Sequence, residues 1–132
     1  MSFLSQLTID DDTMTVLRCS FAFEQGSDVT GRPSQRPRGG KINILLESTN
    51  KTDFLEWMIS NDMTKDGEVI FYKRDNMSSL KTVKFTDAYC LSYQEDFNAV
   101  GSEPLRTNIT ISAKEITVKE TTFINNWSDA NS

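Results

Sequence analysis

The sequence predicts a mainly β fold, a small antiparallel barrel of about seven strands with one short α-helix at its side. Three observations predict this fold. Stretches of alternating apolar and polar residues recur along the chain, turn-forming residues separate them, and a single stretch after residue 52 has helical composition. Because strands and helices do not alternate, the pattern argues against a parallel sheet with crossover helices.

Length and charge limit the class of protein. The 132 residues fit one domain, which we expect to span residues 1–124, followed by a disordered C-terminal tail at 125–132. No apolar run reaches the ~18–20 residues that a membrane helix needs. Fourteen Lys and Arg against nineteen Asp and Glu give a net charge of -5, which opposes binding to nucleic acid or anionic lipid. The N-terminus lacks the basic and apolar regions of a signal peptide, so we expect synthesis in the cytoplasm.

The chain opens with a predicted β-hairpin. Leu4, Leu7 and Ile9 give the first strand an apolar face, and residues 14–23 alternate as a second strand. Between them, residues 10–13 (Asp-Asp-Asp-Thr) have the composition of a tight turn.

A long exposed loop is predicted for residues 25–40. Three arginines, two prolines and four glycines replace any apolar periodicity there. The prolines lower the entropy that the loop loses on docking, and arginine suits bidentate pairing with carboxylates, so the loop is interpreted as a protein contact. A merely solvated, mobile loop is an equally valid interpretation. No nucleotide-binding glycine pattern or strand-to-helix junction accompanies the arginines, which argues against a phosphate site.

A strand at residues 41–48 precedes the one predicted helix. Asp53 offers a cap for the first helical turn, and Glu56 three residues later completes a capping-box pattern. Most residues from 54 to 59 are apolar, and so short a helix is unstable alone. We therefore expect the helix to lie against the sheet.

The longest predicted strand lies in the second half of the chain. Residues 66–67, Asp-Gly, are expected to turn the chain into a preceding strand at residues 68–74. From residue 83 to 97 the odd positions are apolar, broken only by Asp87 and Glu95. This pattern predicts one buried face and a bulge near Asp87.

The C-terminal part is expected to add two further strands. Residues 105–113 alternate with their odd positions apolar or small, and Ile116, Val118 and Phe123 indicate one more strand beyond them.

The sequence lacks the residue types on which most catalysis depends. It has no histidine, which removes Ser-His-Asp and Cys-His nucleophiles, His-ligated metals and the commonest general base. Cys19 shares the parity of its apolar neighbours and is expected in the core, whereas the parity of Cys90 places it on the opposite face of its strand. We expect no catalytic residue, no metal site and no cofactor, and thiols rather than a disulfide.

Several short motifs spread along the chain carry a family resemblance. The most specific is the run GRPSQRPRGG at residues 31–40. The others are Glu47-Ser48-Thr49, Trp57-Met58, Thr64-Lys65-Asp66-Gly67, Phe71-Tyr72-Lys73-Arg74-Asp75, Ala88-Tyr89-Cys90 and Ile111-Ser112-Ala113. Together they resemble the Bacteroidetes branch of the type VI secretion tube protein family, called TssD or Hcp, and the similarity ends around Val118.

The resemblance implies a fold and a function. The fold is a barrel like that of phage tail-tube proteins, which forms homohexameric rings that stack into a tube. A contracting sheath drives this tube, tipped by a spike, out of the cell with secreted effectors. The subunit is then no enzyme, its partners are its own copies, sheath and spike proteins and effectors, and it leaves the cytoplasm for the extracellular space or a target cell.

The resemblance also assigns a role to the arginine-proline loop. In the family, the extended loop after the second strand lies between stacked rings. The hypothesised ring-stacking residues are Gly31, Arg32, Pro33, Arg36, Pro37, Arg38, Gly39 and Gly40.

Three other functions fit the same residues. A tube protein of a related contractile system, a phage tail or an extracellular injection machine, shares the mechanism. A monomeric barrel could instead bind small apolar molecules in its interior. An enzyme with a lysine-activated serine would need a lysine of lowered pKa that no motif here locates.

Overall fold

The structure, a computed structural model, describes residues 3–34, 38–47, 53–73, 78–100 and 105–125. Within these ranges it contains seven strands and one helix. In chain order they are β1 (Phe3–Ile9), β2 (Asp12–Phe21), β3 (Lys41–Glu47), α1 (Phe54–Ile59), β4 (Lys65–Lys73), β5 (Ser79–Phe97), β6 (Leu105–Val118) and β7 (Thr121–Ile124). The described ranges contain no helix that is long and apolar enough to cross a membrane.

Six strands close into an antiparallel barrel. β1 pairs with β2 and β4, β5 pairs with β4 and β6, and β3 pairs with both β2 and β6. β7 folds back as a short extra strand on the end of β6. This arrangement confirms the predicted antiparallel barrel of about seven strands with one short helix.

The barrel has two different ends, which we name by what leaves them. The ribbon end holds the starts of β1 and β3 and the ends of β2 and β4, and the segment between β2 and β3 projects from it. The helix end holds the opposite termini of these strands, and α1 lies there because it connects the end of β3 to the start of β4.

Apolar side chains fill the barrel interior. Every second residue of β3, Ile42, Ile44 and Leu46, is fully buried, as the strand period of two requires. The other large buried side chains of the strands are Leu7, Ile9, Met14, Val16, Val69, Val83, Phe85, Ile109, Ile111 and Ile116. Each such side chain stabilises the fold by roughly 1.5–3 kcal/mol relative to exposure.

The first hairpin is confirmed, and its turn consists of two residues. Asp10 and Asp11 have φ angles of 52° and 63°, and Ile9 pairs with Asp12 across the turn. Two left-handed residues in succession form the type I′ turn that matches the twist of a hairpin. Aspartate tolerates this conformation better than most residues because its short side chain can bond locally, so the turn forms without glycine.

The turn predicted at residues 66–67 is wrong, because Gly67 lies inside β4. It pairs with Ile9 on one side and with Phe85 on the other. A Cβ atom at this position would come within 2.6 Å of the Thr8 carbonyl oxygen and 2.7 Å of the Phe85 ring. Glycine is needed here for the close approach of neighbouring groups and not for a turn.

The predicted bulge near Asp87 is confirmed, but the predicted single buried face of β5 is wrong. Asp87 has a φ of 52°, and the pairing of β4 with β5 shifts its register at this point. The inward positions are Val83 and Phe85 before the bulge and Ala88 and Cys90 after it. Cys90 therefore faces the core, and not the opposite side as its parity predicted.

The last part of β5 lies beyond its partner β4. The pairing with β4 ends where Lys65 meets Ala88, and a second register shift, between Cys90 and Ser92, affects the pairing with β6. Leu91 is 47% exposed and Phe97 is 72% exposed, although both were expected on a buried face. Leu91 lies at the second register shift, and Phe97 lies in the part of β5 that has no β4 neighbour.

β6 runs without interruption through the region where two strands were expected. Ile116 and Val118 belong to the same strand as residues 105–113, and the separate strand is β7, which contains Phe123. The left-handed residue Lys119, with a φ of 57°, turns the chain between β6 and β7.

The helix begins where its capping pattern predicts. The Asp53 carboxylate accepts a hydrogen bond from the Glu56 backbone N–H at 2.9 Å. Phe54 and Trp57 are buried against the barrel, as expected for a helix that lies on the sheet. Leu55 and Ile59, one helical turn apart, point outward and are 50% and 71% exposed.

Candidate interaction surfaces

The segment predicted as a long loop forms a projecting β-ribbon over part of its length. Glu24 and Arg38 exchange backbone hydrogen bonds of 2.9 and 2.6 Å, and the Ser34 N–H donates to the Gly26 carbonyl at 2.9 Å. We call residues 24–38 the ribbon; its residues 35–37 lie outside the described ranges. Backbone bonds therefore hold the described parts of the two arms side by side.

The tip of the ribbon is organised by one carboxylate. Asp28 Oδ1 accepts hydrogen bonds from the Thr30 hydroxyl at 2.7 Å, the Thr30 N–H at 2.9 Å and the Arg32 N–H at 3.1 Å. These bonds, that from the Thr30 hydroxyl first, hold the pKa of Asp28 below its ordinary value. Gly31 supplies the left-handed φ of 91° that the turn requires, and Val29 is fully exposed beside it.

The structure divides the hypothesised ring-stacking residues between the tip and the base of the ribbon. Gly31, Arg32 and Pro33 are exposed at the tip, and Arg38 is exposed on the returning arm. Arg36 and Pro37 lie outside the described residues. Gly39 and Gly40 are half-buried and buried at the base, described next.

Both glycines at the ribbon base are packing positions. Any side chain on Gly39 would overlap the ring of Phe23, and one on Gly40 would overlap the Asn125 amide. Gly40 also has a φ of 95°, which a side chain disfavours. These two residues therefore fix how the ribbon leaves the barrel.

Asn125, directly after β7, joins the ribbon base to β6, a role that the sequence did not reveal. Its Nδ2 donates to the Ala113 carbonyl at 2.8 Å and to the Gly39 carbonyl at 3.3 Å, and its N–H donates to the Lys114 carbonyl at 2.7 Å. The tail was expected to begin at this residue; residues 126–132 lie outside the described ranges.

An aromatic row crosses the ribbon end of the barrel. The Phe23 ring lies 5.1 Å from that of Phe123 and 6.3 Å from that of Phe21, centroid to centroid. Beside Phe21 an apolar groove of about 340 Å³ opens, lined further by Phe71, Leu80 and Lys81. Sequence analysis placed these aromatic residues in separate segments and did not predict that the fold brings Phe123 against Phe23.

Both cysteines are free thiols of raised pKa. Burial raises the pKa of Cys19 to about 11, and it raises that of Cys90 to about 11 as well, although Cys90 Sγ also donates to the Ser92 carbonyl at 3.4 Å. At neutral pH both thiols are protonated, so neither is an activated nucleophile. Among the described residues, no group of three or more His, Cys, Asp and Glu side chains is placed to hold a metal ion.

A family model and one solved structure identify the family of this chain. The family model described as Hemolysin coregulated protein Hcp (TssD) matches residues 1–128. The structure of Hcp1 from Flavobacterium johnsoniae is similar at 42% identity, with a TM-score of 0.84, covering 92% of this chain and 99% of that one. No curated protein sequence gives a significant match.

More distant solved structures share the fold. A crystal structure of an Hcp protein has a TM-score of 0.75 at 12% identity and covers 96% of this chain and 98% of that one. Hcp1 from Salmonella typhimurium has a TM-score of 0.71 at 13% identity, covering 93% and 92% of the two chains.

Proposed function

The chain belongs to the Hcp (TssD) family, and on this basis we propose that it is a structural, non-enzymatic subunit of a type VI secretion tube. The observation that carries the proposal is the match of the family model to residues 1–128, together with 42% identity to the Flavobacterium johnsoniae Hcp1 over nearly all of both chains. Six copies form a ring, rings stack into the tube, and sheath contraction propels the tube with its spike and effectors.

The shape of the subunit supports head-to-tail assembly. A tube that grows indefinitely needs two different, complementary surfaces on opposite ends of each subunit. The barrel presents different ends, since the ribbon projects from one end and α1 lies at the other. A closed barrel also leaves few open strand edges, so association proceeds through these shaped ends rather than through uncontrolled strand pairing.

The ribbon is proposed as the ring-stacking element. Arg32 is exposed at its tip, and its guanidinium forms no hydrogen bond or ion pair with another described residue. The Asp28 hydrogen bonds order the tip before contact, which lowers the entropy lost on docking. Pro33 and Arg38 extend the same proposed surface, and Arg36 and Pro37, outside the described residues, stay in the hypothesis on the basis of the sequence.

A filled interior favours the tube over a monomeric ligand-binding barrel. Small-molecule barrels enclose an apolar cavity, whereas most of the strand side chains that point inward here form one buried cluster. The apolar groove beside Phe21 lies at the open ribbon end and is not such an enclosed cavity.

The solution mass tests the proposal. Six copies of the 15.0 kDa chain predict a particle of about 90 kDa, to be measured by light scattering coupled to size exclusion and imaged by negative stain. Ring-shaped particles of this mass support the tube subunit. A 15 kDa monomer at every concentration up to the millimolar range, without rings on the grid, would contradict it.

A further inference from the structure

A concave patch lies on the outer face of the barrel where β2, β3, β6 and β5 run side by side. The depression has a volume of about 380 Å³. We call it the arginine patch; its lining residues are Arg18, Leu45, Asp96, Asn98, Arg106 and Asn108. The strand register brings them together, since Arg18 pairs with Leu45, Leu45 with Asn108, and Arg106 with Asp96.

The two guanidinium groups of the patch have no partner in the described part of the chain. Neither Arg18 nor Arg106 forms a side-chain hydrogen bond or an ion pair there. This holds although Arg106 has an acidic residue beside it on each neighbouring strand, Glu47 on β3 and Asp96 on β5. Their fork-shaped donors are therefore available to a ligand.

A hydrogen-bonded pair of amides adds another donor. Asn43 Nδ2 donates to Asn108 Oδ1 at 3.0 Å and to Thr110 Oγ1 at 2.9 Å, which fixes the Asn108 amide in one orientation. The Asn108 Nδ2 group is left without an acceptor among the residues that the structure describes. The patch thus offers more hydrogen-bond donors than it satisfies internally.

The lining of the patch holds more cationic than anionic side chains. It carries two arginines and one carboxylate, Asp96, and Glu47 lies beside Arg106 at its margin. Gln94 Nε2 already donates to the two Asp96 oxygens at 3.3 and 3.4 Å. Leu45 adds an apolar contact at the centre of the patch. Unsatisfied donors around a small apolar contact favour a ligand rich in anionic acceptors.

We propose that the arginine patch binds an acidic peptide segment of a partner protein. Arg18 and Arg106 pair with its carboxylates, a geometry that planar guanidinium favours, while Asn108 and Asn98 contact its backbone amides. A nucleic acid fits less well than a short acidic segment, because a long polyanion extends beyond the two arginines of the patch and meets the net negative charge of the rest of the chain. The proposal concerns a surface separate from the ribbon and does not depend on the tube function.

A labelled peptide tests the patch directly. The binding of fluorescein-labelled hexaglutamate to the purified full chain is followed by anisotropy at low ionic strength, where charge pairing is least screened. The double substitution Arg18→Ala/Arg106→Ala is expected to weaken binding at least about tenfold, and Arg18→Lys/Arg106→Lys to weaken it less because the charge remains. The matched control is Lys41→Ala, which removes one exposed charge from the same strand as Leu45 and is expected to change affinity by less than about twofold.

Three results would overturn the proposal. Hexaglutamine could bind as tightly as hexaglutamate, or the double alanine variant could bind as tightly as the original chain. Thirdly, the double alanine variant could lose the assembled mass of the original chain in light scattering while it stays folded by circular dichroism, which would make the patch a contact between subunits. Failure of the tube proposal looks different, since the original chain would then be a monomer whatever its peptide affinity.

Discussion

The Trp57 indole Nε1 donates a hydrogen bond of 3.0 Å to the Ala88 carbonyl oxygen, which joins the helix to β5 just after the Asp87 bulge. Both residues are fully buried. The bond lies where β4 stops pairing with β5, so α1 takes over from the strand as the cover of this edge.

Replacing Trp57 should therefore destabilise the barrel strongly. Trp57→Phe removes the donor to the buried Ala88 carbonyl, at a cost of about 1–3 kcal/mol, and Trp57→Ala adds a cavity for about 3–5 kcal/mol in total. Urea unfolding of the two Trp57 variants measures the free energy that each one loses. Leu55→Ala on the exposed side of the same helix is the control and should cost much less. Equal losses for Leu55→Ala and Trp57→Ala would contradict the role assigned to Trp57.

Gly67→Ala should destabilise the fold although alanine is normally acceptable in a strand. The added methyl group meets the Thr8 carbonyl oxygen and the Phe85 ring, and such overpacking typically costs about 1–3 kcal/mol. The midpoint of chemical unfolding checks this value. Gly31→Ala is the comparison, since its added methyl group meets no atom within 4 Å and the substitution costs only the strain of its left-handed φ, about 1–2 kcal/mol. A Gly67→Ala midpoint unchanged from the original would refute the packing argument.

Arg32→Glu should separate ring stacking from ring formation. The substitution reverses the charge of an exposed ribbon-tip residue without touching the barrel core, so rings of about 90 kDa should persist while stacks of rings disappear. Electron microscopy at high protein concentration measures the numbers of single rings and of stacked rings. Lys41→Glu, an equal charge reversal at the start of β3, serves as the control. Normal stacking of Arg32→Glu rings would remove the ribbon tip from the stacking surface.

The raised thiol pKa values predict a pH dependence of stability and reactivity. Cys19 and Cys90 ionise near pH 11 in the folded chain but near 9.0 when unfolded. The folded state therefore keeps protons that the unfolded state loses, and this contribution to stability is complete below pH 9 and is lost as the pH rises towards 11. Thermal melts between pH 7 and 11 test the direction. At pH 8 a thiol reagent should label both cysteines slowly until denaturant is added; rapid labelling of the native chain would show that the thiols are not buried.

The sequence predicts the barrel well because its signals are local. The alternation in β3, the acidic turn at Asp10 and Asp11, and the cap at Asp53 each act within a few residues, and the structure contains all three. The expectation that the subunits form rings and a tube came from the family motifs, because the fold of a single chain does not show how copies associate.

The errors come from contacts between distant segments and from one local irregularity of the backbone. Gly67 was assigned to a turn because the Asp-Gly pair is a turn signal, and only the neighbouring strands show why glycine is required. The inward-facing residues of β5 were predicted wrongly because the left-handed residue Asp87 reverses which side chains face the core, from this bulge to the next. The arginine patch and the Asn125 contacts combine residues far apart in the chain, which periodicity within one strand does not address.

The pairing of β3 with β6 sets when the protein can fold during its synthesis. Residues 41–47 must wait for residues 106–112 before the barrel can close, so most of the chain has to leave the ribosome first. Until then β3 presents an open edge at which nascent chains on neighbouring ribosomes could pair. The barrel of this subunit therefore closes late, only after β6 has been synthesised.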